Sequence, residues 1–84
     1  MHGLRAQRAR LYWQCRRGMR ELDVLLGEFL EQGYDDLDPA GRRVFEAVLA
    51  YPDTLLLEML MGRLIPADTE VAHVVERIRN AAAP

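Results

Sequence analysis

Apolar residues recur along the chain at spacings of three and four, which is the period of an amphipathic helix. Turn residues interrupt this pattern and divide the chain into about five short helices, and no segment requires a strand. The first helix is predicted over about Leu4–Arg17, with Leu4, Leu11 and Cys15 on one side and Tyr12 at the edge of that side. The second is predicted over about Gly18–Gln32, and Gly33 is suited to stop it.

Aspartate and proline mark the starts of the next two helices. Asp38 can accept hydrogen bonds from the unpaired N–H groups of a helix, and Pro39 suits the first helical position. Pro52-Asp53 opens a fourth helix that ends near Gly62, and we expect this helix to be almost wholly buried. The residues expected to face inward here are Val44, Phe45, Val48, Leu49, Leu56, Leu57, Leu60 and Met61.

The end of the chain predicts a fifth helix after Pro66. Asp68 and Glu70 place negative charge at its start, where the helix dipole favours it, and its inward-facing residues are expected to be Val71, Val74, Val75 and Ile78. Residues 81–84 are expected to fray. The prediction is therefore one all-α domain spanning residues 1–84, a compact bundle of about five short helices.

Composition limits the function classes. With 84 residues, the chain has room for one modest core, which favours a binding module over an enzyme with a deep cleft. No apolar stretch reaches the length that spans a bilayer, so we expect no membrane insertion. Cys15 is the single cysteine, so an internal disulfide and a cysteine-based zinc site are both excluded. We expect a cytoplasmic protein that is monomeric when free.

The basic residues are distributed unevenly. The chain has no lysine, and six arginines precede the first acidic residue: Arg5, Arg8, Arg10, Arg16, Arg17 and Arg20. Such a start is typical of a nucleic-acid arm or a transit peptide. The formal net charge of −2 argues against the first, and the direct continuation of Leu11 and Trp13 into the next segment argues against the second.

Residues 12–23, read YWQCRRGMRELD, carry more chemistry than folding needs, and we call them the signature segment. With Arg17-Gly18-Met19-Arg20-Glu21 at its centre, it resembles the signature of the succinate dehydrogenase flavinylation factors, the SdhE-type assembly proteins. The resemblance continues through Tyr34-Asp35, the Pro52-Asp53 helix and Gly62 to Pro66. The chain departs from the family in having Met59 where a tryptophan is usual, and Gly41 where an acid is common.

The resemblance implies an assembly factor and not an enzyme. It implies binding to the flavoprotein subunit of succinate dehydrogenase, and of fumarate reductase as a second client, to promote covalent attachment of FAD. The chemistry would then belong to the client, and this chain would hold no stoichiometric FAD. The sequence itself offers no glycine-rich dinucleotide turn after a strand. The alternatives are a small arginine-rich nucleic-acid-binding or regulatory protein, and a flavin-binding redox enzyme.

Partner contacts are expected in the signature segment and just before it. Gly18 would let another surface approach the backbone closely, Arg17 and Arg20 would offer forked donors, and Glu21 would accept hydrogen bonds. Met19 would add an adaptable apolar contact. The residues expected to bind the partner are Arg10, Trp13, Arg16, Arg17, Gly18, Met19, Arg20, Glu21 and Asp23.

Several of these residues also have a structural interpretation. Gly18 can simply begin the second helix, with Glu21 reaching back to its N–H in a capping box, and we expect Glu21 to serve both roles. Trp13 fits core packing at least as well as an interface. Cys15 is expected to be a buried, inert thiol. His73 and Glu76 are too few for a metal site, and both histidines, His73 and His2, are expected at the surface.

Overall fold

The computed structural model of the chain describes the backbone of residues 2–81 and the side chains of residues 6–81. This part forms five α-helices, which are α1 His2–Gln14, α2 Arg20–Gln32, α3 Pro39–Val48, α4 Asp53–Leu60 and α5 Thr69–Ala81. A short 3₁₀ turn, Tyr34–Asp36, links α2 to α3, and residues 2–81 contain no strand. The predicted all-α class is confirmed. The predicted positions of the Leu4 and His2 side chains, and of a frayed tail beyond Ala81, fall outside the described residues.

Helix α5 is at the centre of the packing. It contacts α2, α3 and α4, whereas α1 lies against α2. The core contains Phe45 in contact with two other rings, those of Phe29 and Tyr34, at centroid distances of 5.2 and 5.5 Å. The predicted inward residues of α5 are all buried, as are Phe45, Val48 and Leu49 at the end of α3. No helix in the described part of the chain is long and apolar enough to cross a bilayer.

The boundary between the first two helices differs from the prediction. Helix α1 ends at Gln14 and not at Arg17, and α2 begins at Arg20 and not at Gly18. Gly18 has a φ of +84°, which lies in the left-handed region and cannot continue a right-handed helix. The two helices are therefore separated by an irregular linker, residues 15–19, which we call the signature linker.

Gly33 ends α2, as predicted, but for a different reason. Its φ of −123° is accessible to any residue, so left-handed backbone does not require glycine here. A Cβ at this position would lie only 2.6 Å from the Phe29 ring. Glycine is therefore required because the chain passes directly over a core aromatic side chain.

Helix α3 begins as its sequence predicts. The Asp38 carboxylate accepts a hydrogen bond from the Gly41 N–H at 2.7 Å, with Pro39 at the first helical position. With Gly41 in place of an acid, the first turn of α3 lacks an acidic side chain, but the Asp38 cap is retained. Met59, where a tryptophan was the family expectation, is only 2% exposed and fills its place in the core.

The expectation that α4 is almost wholly buried is wrong. Leu56, Met59 and Leu60 are buried, but Leu55 remains 38% exposed and Met61, just after the helix, 37%. Helix α4 has only eight residues and packs chiefly against α2 and α5, which leaves part of its apolar surface, including Leu55, in solvent. Its apolar sequence therefore supplies both core and surface.

Polar contacts hold α1 to the rest of the domain. Of its residues from 6 to 14, only Leu11 is fully buried. Arg8 donates to the Leu30 carbonyl at 2.9 Å and to Asp35 at 3.1 Å, and Arg10 pairs with Glu46 at 3.2 Å. Two arginines of the arginine-rich start thus hold in place a helix that has only a small apolar face.

Candidate partner-binding site

The signature linker is fixed by a carboxylate of α2. Asp23 Oδ1 accepts a hydrogen bond from the Arg17 backbone N–H at 2.6 Å, and its other oxygen lies 4.0 Å from Arg16 Nε. The N-cap of α2 is Met19, which makes no side-chain capping bond. The predicted capping box between Glu21 and Gly18 is therefore wrong. Asp23, two residues further along, reaches back to the linker because Gly18 lies outside the helix.

The Arg17 side chain points into the domain. Its Nε donates to Asp53 Oδ1 at 2.7 Å, and Nη2 donates to the Tyr51 carbonyl at 2.8 Å. Its Nη1 donates to the carbonyls of Leu49 at 2.6 Å and Gln14 at 3.2 Å. Four of the five N–H groups of a guanidinium are thereby used within the chain. Arg17 was expected to offer a forked donor to a partner, but that fork is occupied by its own chain.

Three other residues at the centre of the signature remain accessible. Gly18, Arg20 and Glu21 are exposed. Apart from Gly18 and its two neighbours in the chain, no residue has a heavy atom within 4 Å of the position that a Gly18 Cβ would take. The ion pairs found among residues 6–81 include neither Arg20 nor Glu21. A second surface could therefore reach this backbone and both charges without displacing a partner of either.

The aromatic pair before the linker lies at the surface. Trp13 is 68% exposed and Tyr12 46%, and their rings meet edge to face at 5.7 Å. Arg16 donates to the Tyr12 hydroxyl at 3.3 Å. Core packing of Trp13 is therefore contradicted, and its interpretation as an interface anchor remains. We use the term signature surface for Trp13, Arg16, Gly18, Arg20 and Glu21.

The remaining predicted contacts are only partly available. Met19 is half-buried and packs against the core, so part of its side chain serves folding. Asp23 is occupied by the linker contact described above. Arg10 is exposed but paired with Glu46. Met19, Asp23 and Arg10 are thus engaged within the domain. Arg16 of the signature surface also has partners there, Tyr12 and Asp23, but its side chain stays 53% exposed.

A shallow groove adjoins the signature surface and was missed in the sequence. It has a volume of about 300 Å³ and is lined by Arg20, Glu21, Val24, Leu25 and Met61. Val24 is 49% exposed and Met61 37%. Val24 follows Glu21 by three residues on α2, so helical spacing could have found it. Met61 could not be found in this way, because it follows the end of α4, far along the chain from α2, and was expected to face inward.

The thiol of Cys15 is buried, as predicted. The residue is 1% exposed, and this burial raises the pKa of the Cys15 thiol to about 11. The nearby Arg17 guanidinium opposes that rise, and the Asp23 carboxylate adds to it. Because the thiolate is the reactive form, Cys15 is poorly suited to redox or nucleophilic chemistry near neutral pH.

Potential metal ligands do not cluster. Among the side chains of residues 6–81, no three of histidine, cysteine, aspartate and glutamate lie close enough to share a metal ion. His73 and Glu76 are both exposed on α5. The His2 side chain lies outside the described part.

Fold and surface together define a small helical module with an exposed charged and aromatic contact surface at a helix–helix linker. Residues 9–82 match the family described as the flavinator of succinate dehydrogenase, and the chain belongs to that family. It is 41% identical over 76 residues to the FAD assembly factor SdhE of Shewanella oneidensis, covering 90% of this chain and 93% of the relative. It is 35% identical over 71 residues to the FAD assembly factor SdhE of Coxiella burnetii, covering 84% and 87%.

These comparisons confirm the family resemblance seen in the signature segment. The relatives are named as assembly factors and not as enzymes. The expectation of an assembly factor is therefore confirmed at the level of the family.

Proposed function

We propose that this chain binds the flavoprotein subunit of succinate dehydrogenase, the client, through the signature surface and thereby promotes covalent attachment of FAD to it. Fumarate reductase is proposed as a second client. The observation that carries the proposal is Gly18, whose left-handed backbone is exposed with open space around it. Family membership supplies the kind of client.

The accessible groups suit a protein partner. Trp13 and Arg16 are of the residue types that dominate binding hot spots. Arg20 and Glu21 carry opposite charges on adjacent residues, so they select a partner surface that also carries both signs. A nucleic acid would offer negative charge alone, and this alternative is disfavoured because Arg8, Arg10, Arg16 and Arg17 have acidic partners within the chain.

The proposal also assigns the covalent chemistry to the client. The family role is assistance to another protein's flavin attachment, and Cys15, the one nucleophilic thiol of this chain, is buried with a raised pKa. The factor is therefore proposed to act by binding and orienting the client, in the cytoplasm and as a monomer when free.

Substitution of Gly18 tests the proposed contact. Gly18→Arg places a long side chain where the client backbone would approach, and we expect it to abolish co-purification with the client. Gly18→Ala is the matched control, because it carries the same left-handed strain, about 1–2 kcal/mol, without the bulk. We expect Gly18→Ala to retain most binding. Wild-type affinity in a folded Gly18→Arg variant would refute the proposed surface, and equal loss in both variants would assign the effect to backbone strain.

A further inference from the structure

Residue 17 connects three parts of the fold. Its backbone N–H is held by Asp23 on α2, while its side chain donates to Leu49 and Tyr51 in the connection between α3 and α4. The same side chain pairs with Asp53 at the start of α4. The three side-chain acceptors lie 32 to 36 residues from Arg17 along the chain, so these contacts are tertiary and not part of a local turn.

Accessibility separates Arg17 from its neighbour. The Arg17 side chain is 17% exposed, whereas that of Arg16 is 53% exposed. A client that contacted the Arg17 guanidinium would have to compete with one carboxylate and three carbonyls already at hydrogen-bond distance. Hydrogen bonds from a charged donor in a partly buried setting are among the stronger ones in proteins. Displacement would therefore be costly.

The position of Arg17 gives these bonds a consequence for binding. Gly18 follows directly and adopts a φ of +84°, and Arg20 begins α2 one residue after Met19. With residue 17 held from both sides, the linker leaves it in one direction, which fixes where Gly18, Arg20 and Glu21 are displayed. We propose that Arg17 is a positioning residue: it orients the signature surface by tying the linker to the α3–α4 connection and does not itself contact the client.

This inference rests on the proposed function, and the experiment separates the two. The variants are Arg17→Lys, Asp53→Ala and their combination, with Arg43→Lys as the matched control on an exposed arginine of α3 outside the signature surface. Lysine keeps the charge but offers one compact ammonium, which cannot reproduce the forked set of contacts. Affinity for the isolated flavoprotein subunit is measured by calorimetry at a temperature where circular dichroism shows every variant folded. Amide NMR spectra of the variants without client are recorded in parallel.

We expect Arg17→Lys and Asp53→Ala each to weaken client binding about tenfold. The double variant should bind little worse than Arg17→Lys, because both substitutions remove the same ion pair between Arg17 and Asp53. Arg43→Lys should leave the affinity unchanged. Arg17→Lys and Asp53→Ala should both also shift the amide resonances of three residues, Gly18, Arg20 and Glu21. A role in stability alone would leave the affinity of the folded variants unchanged, so that result overturns the proposal.

A direct contact with the client gives a different pattern. Asp53→Ala would then release the Arg17 Nε for the client, so binding would be unchanged or tighter. The two substitutions would not show the shared loss of affinity that is expected when both break one ion pair. That pattern also overturns the proposal. If wild-type protein does not bind the subunit, the proposed function fails instead. The positioning role is then decided by whether Arg17→Lys and Asp53→Ala both shift the three amide resonances.

Discussion

Adjacent residues of the signature segment have opposite roles. Arg17 is tied to the domain by its side chain, while Gly18 beside it is open to solvent. Asp23 reaches back to the linker, whereas Glu21 on the same helix has no ion-pair partner among residues 6–81. A short charged motif therefore contains both the contact surface and the contacts that hold it in place. Sequence shows the motif but cannot assign its members to these two roles, since that depends on acceptors more than 30 residues away.

Glu21→Gln tests the contact role of one accessible residue. Glu21 caps no helix and is exposed, so the substitution should leave the thermal midpoint within a few degrees of wild type. We expect client binding to weaken about ten- to a hundredfold, since a charge-assisted contact contributes roughly 1.5–3 kcal/mol. Covalent flavin on the co-expressed client, measured by in-gel fluorescence, should fall with it.

Glu28→Gln is the matched control for this experiment. Glu28 is an exposed glutamate on the same helix but outside the signature segment, so its substitution should leave both readouts unchanged. Loss of stability with normal flavinylation in Glu21→Gln would instead assign Glu21 a structural role.

The Cys15 thiol predicts a loss of stability at alkaline pH. Its pKa is raised from the ordinary value of 9.0 to about 11, so the folded state holds the proton more tightly than the unfolded state does. The associated stabilisation is complete below pH 9 and is lost as the pH rises towards 11. The midpoint of urea unfolding should therefore fall across this interval.

Two variants separate the contributions to this pH dependence. Cys15→Ala removes the thiol and should flatten the decline. It should leave a contribution from Tyr34, whose pKa is also raised, chiefly by burial and then by the Glu46 carboxylate. Tyr34→Phe removes that second group. An equally steep decline in Cys15→Ala would show that Cys15 is not responsible.

A helix boundary can be predicted from sequence when neighbouring residues determine it, but not when tertiary contacts do. Helix α3 is specified locally, because Asp38 and Pro39 act on the N–H groups of the turn that follows them. Helix α2 is not, because its start depends on Gly18 adopting a left-handed conformation within a linker held by tertiary contacts. The same distinction applies to α4, whose apolar sequence could not show that α2 and α5 cover only part of it.

The groove between α2 and the end of α4 predicts an apolar contribution to client binding. Val24 and Met61 are exposed in it beside Arg20 and Glu21. Val24→Asp should therefore weaken client binding about tenfold, because burying an unpaired carboxylate in an apolar contact is costly. Half of the Val24 side chain is already in solvent, so the thermal midpoint should change little.

Ile65→Asp provides the comparison for Val24→Asp. Ile65 is 83% exposed in the connection before α5 and does not line the groove, so an acid there should not affect client affinity. Affinities of both variants for the flavoprotein subunit are measured by calorimetry. Similar losses in the two would indicate a general effect of added negative charge.

At the scale of the whole molecule, the arginine-rich start is part of the architecture. Arg8 and Arg10 fasten α1 to the domain, and Arg17 joins two connections. The sequence predicts the helix count and most of the core, since both follow from apolar periodicity and local breakers. It does not predict these pairings, since any of several acids could have met each arginine. The motif indicates the function, whereas only the tertiary structure shows which of its charges are held within the domain.

The last prediction concerns FAD, which we propose this chain does not hold by itself. A cavity of about 540 Å³ lies between the end of α4, the following connection and α5. Its walls are unsuited to a pyrophosphate, which binds best at helix N-termini. The cavity is instead lined by Leu60 and Gly62 at the C-terminal end of α4 and by one side of α5 from Ala72 onward, which includes the acidic Glu76 and leaves out the first three residues of that helix. Arg79 is the single cation of the lining, and it lies three residues after the Glu76 carboxylate on the same helix.

Calorimetric titration of the isolated protein with FAD should therefore show no tight binding, and the purified protein should be colourless. Titration of the client subunit with the same FAD solution provides the positive control. A one-to-one isotherm at micromolar affinity or tighter would contradict the prediction. Substitution of Arg79 by alanine would then locate the site, because loss of that isotherm would place FAD in this cavity, and its persistence would place FAD elsewhere on the chain.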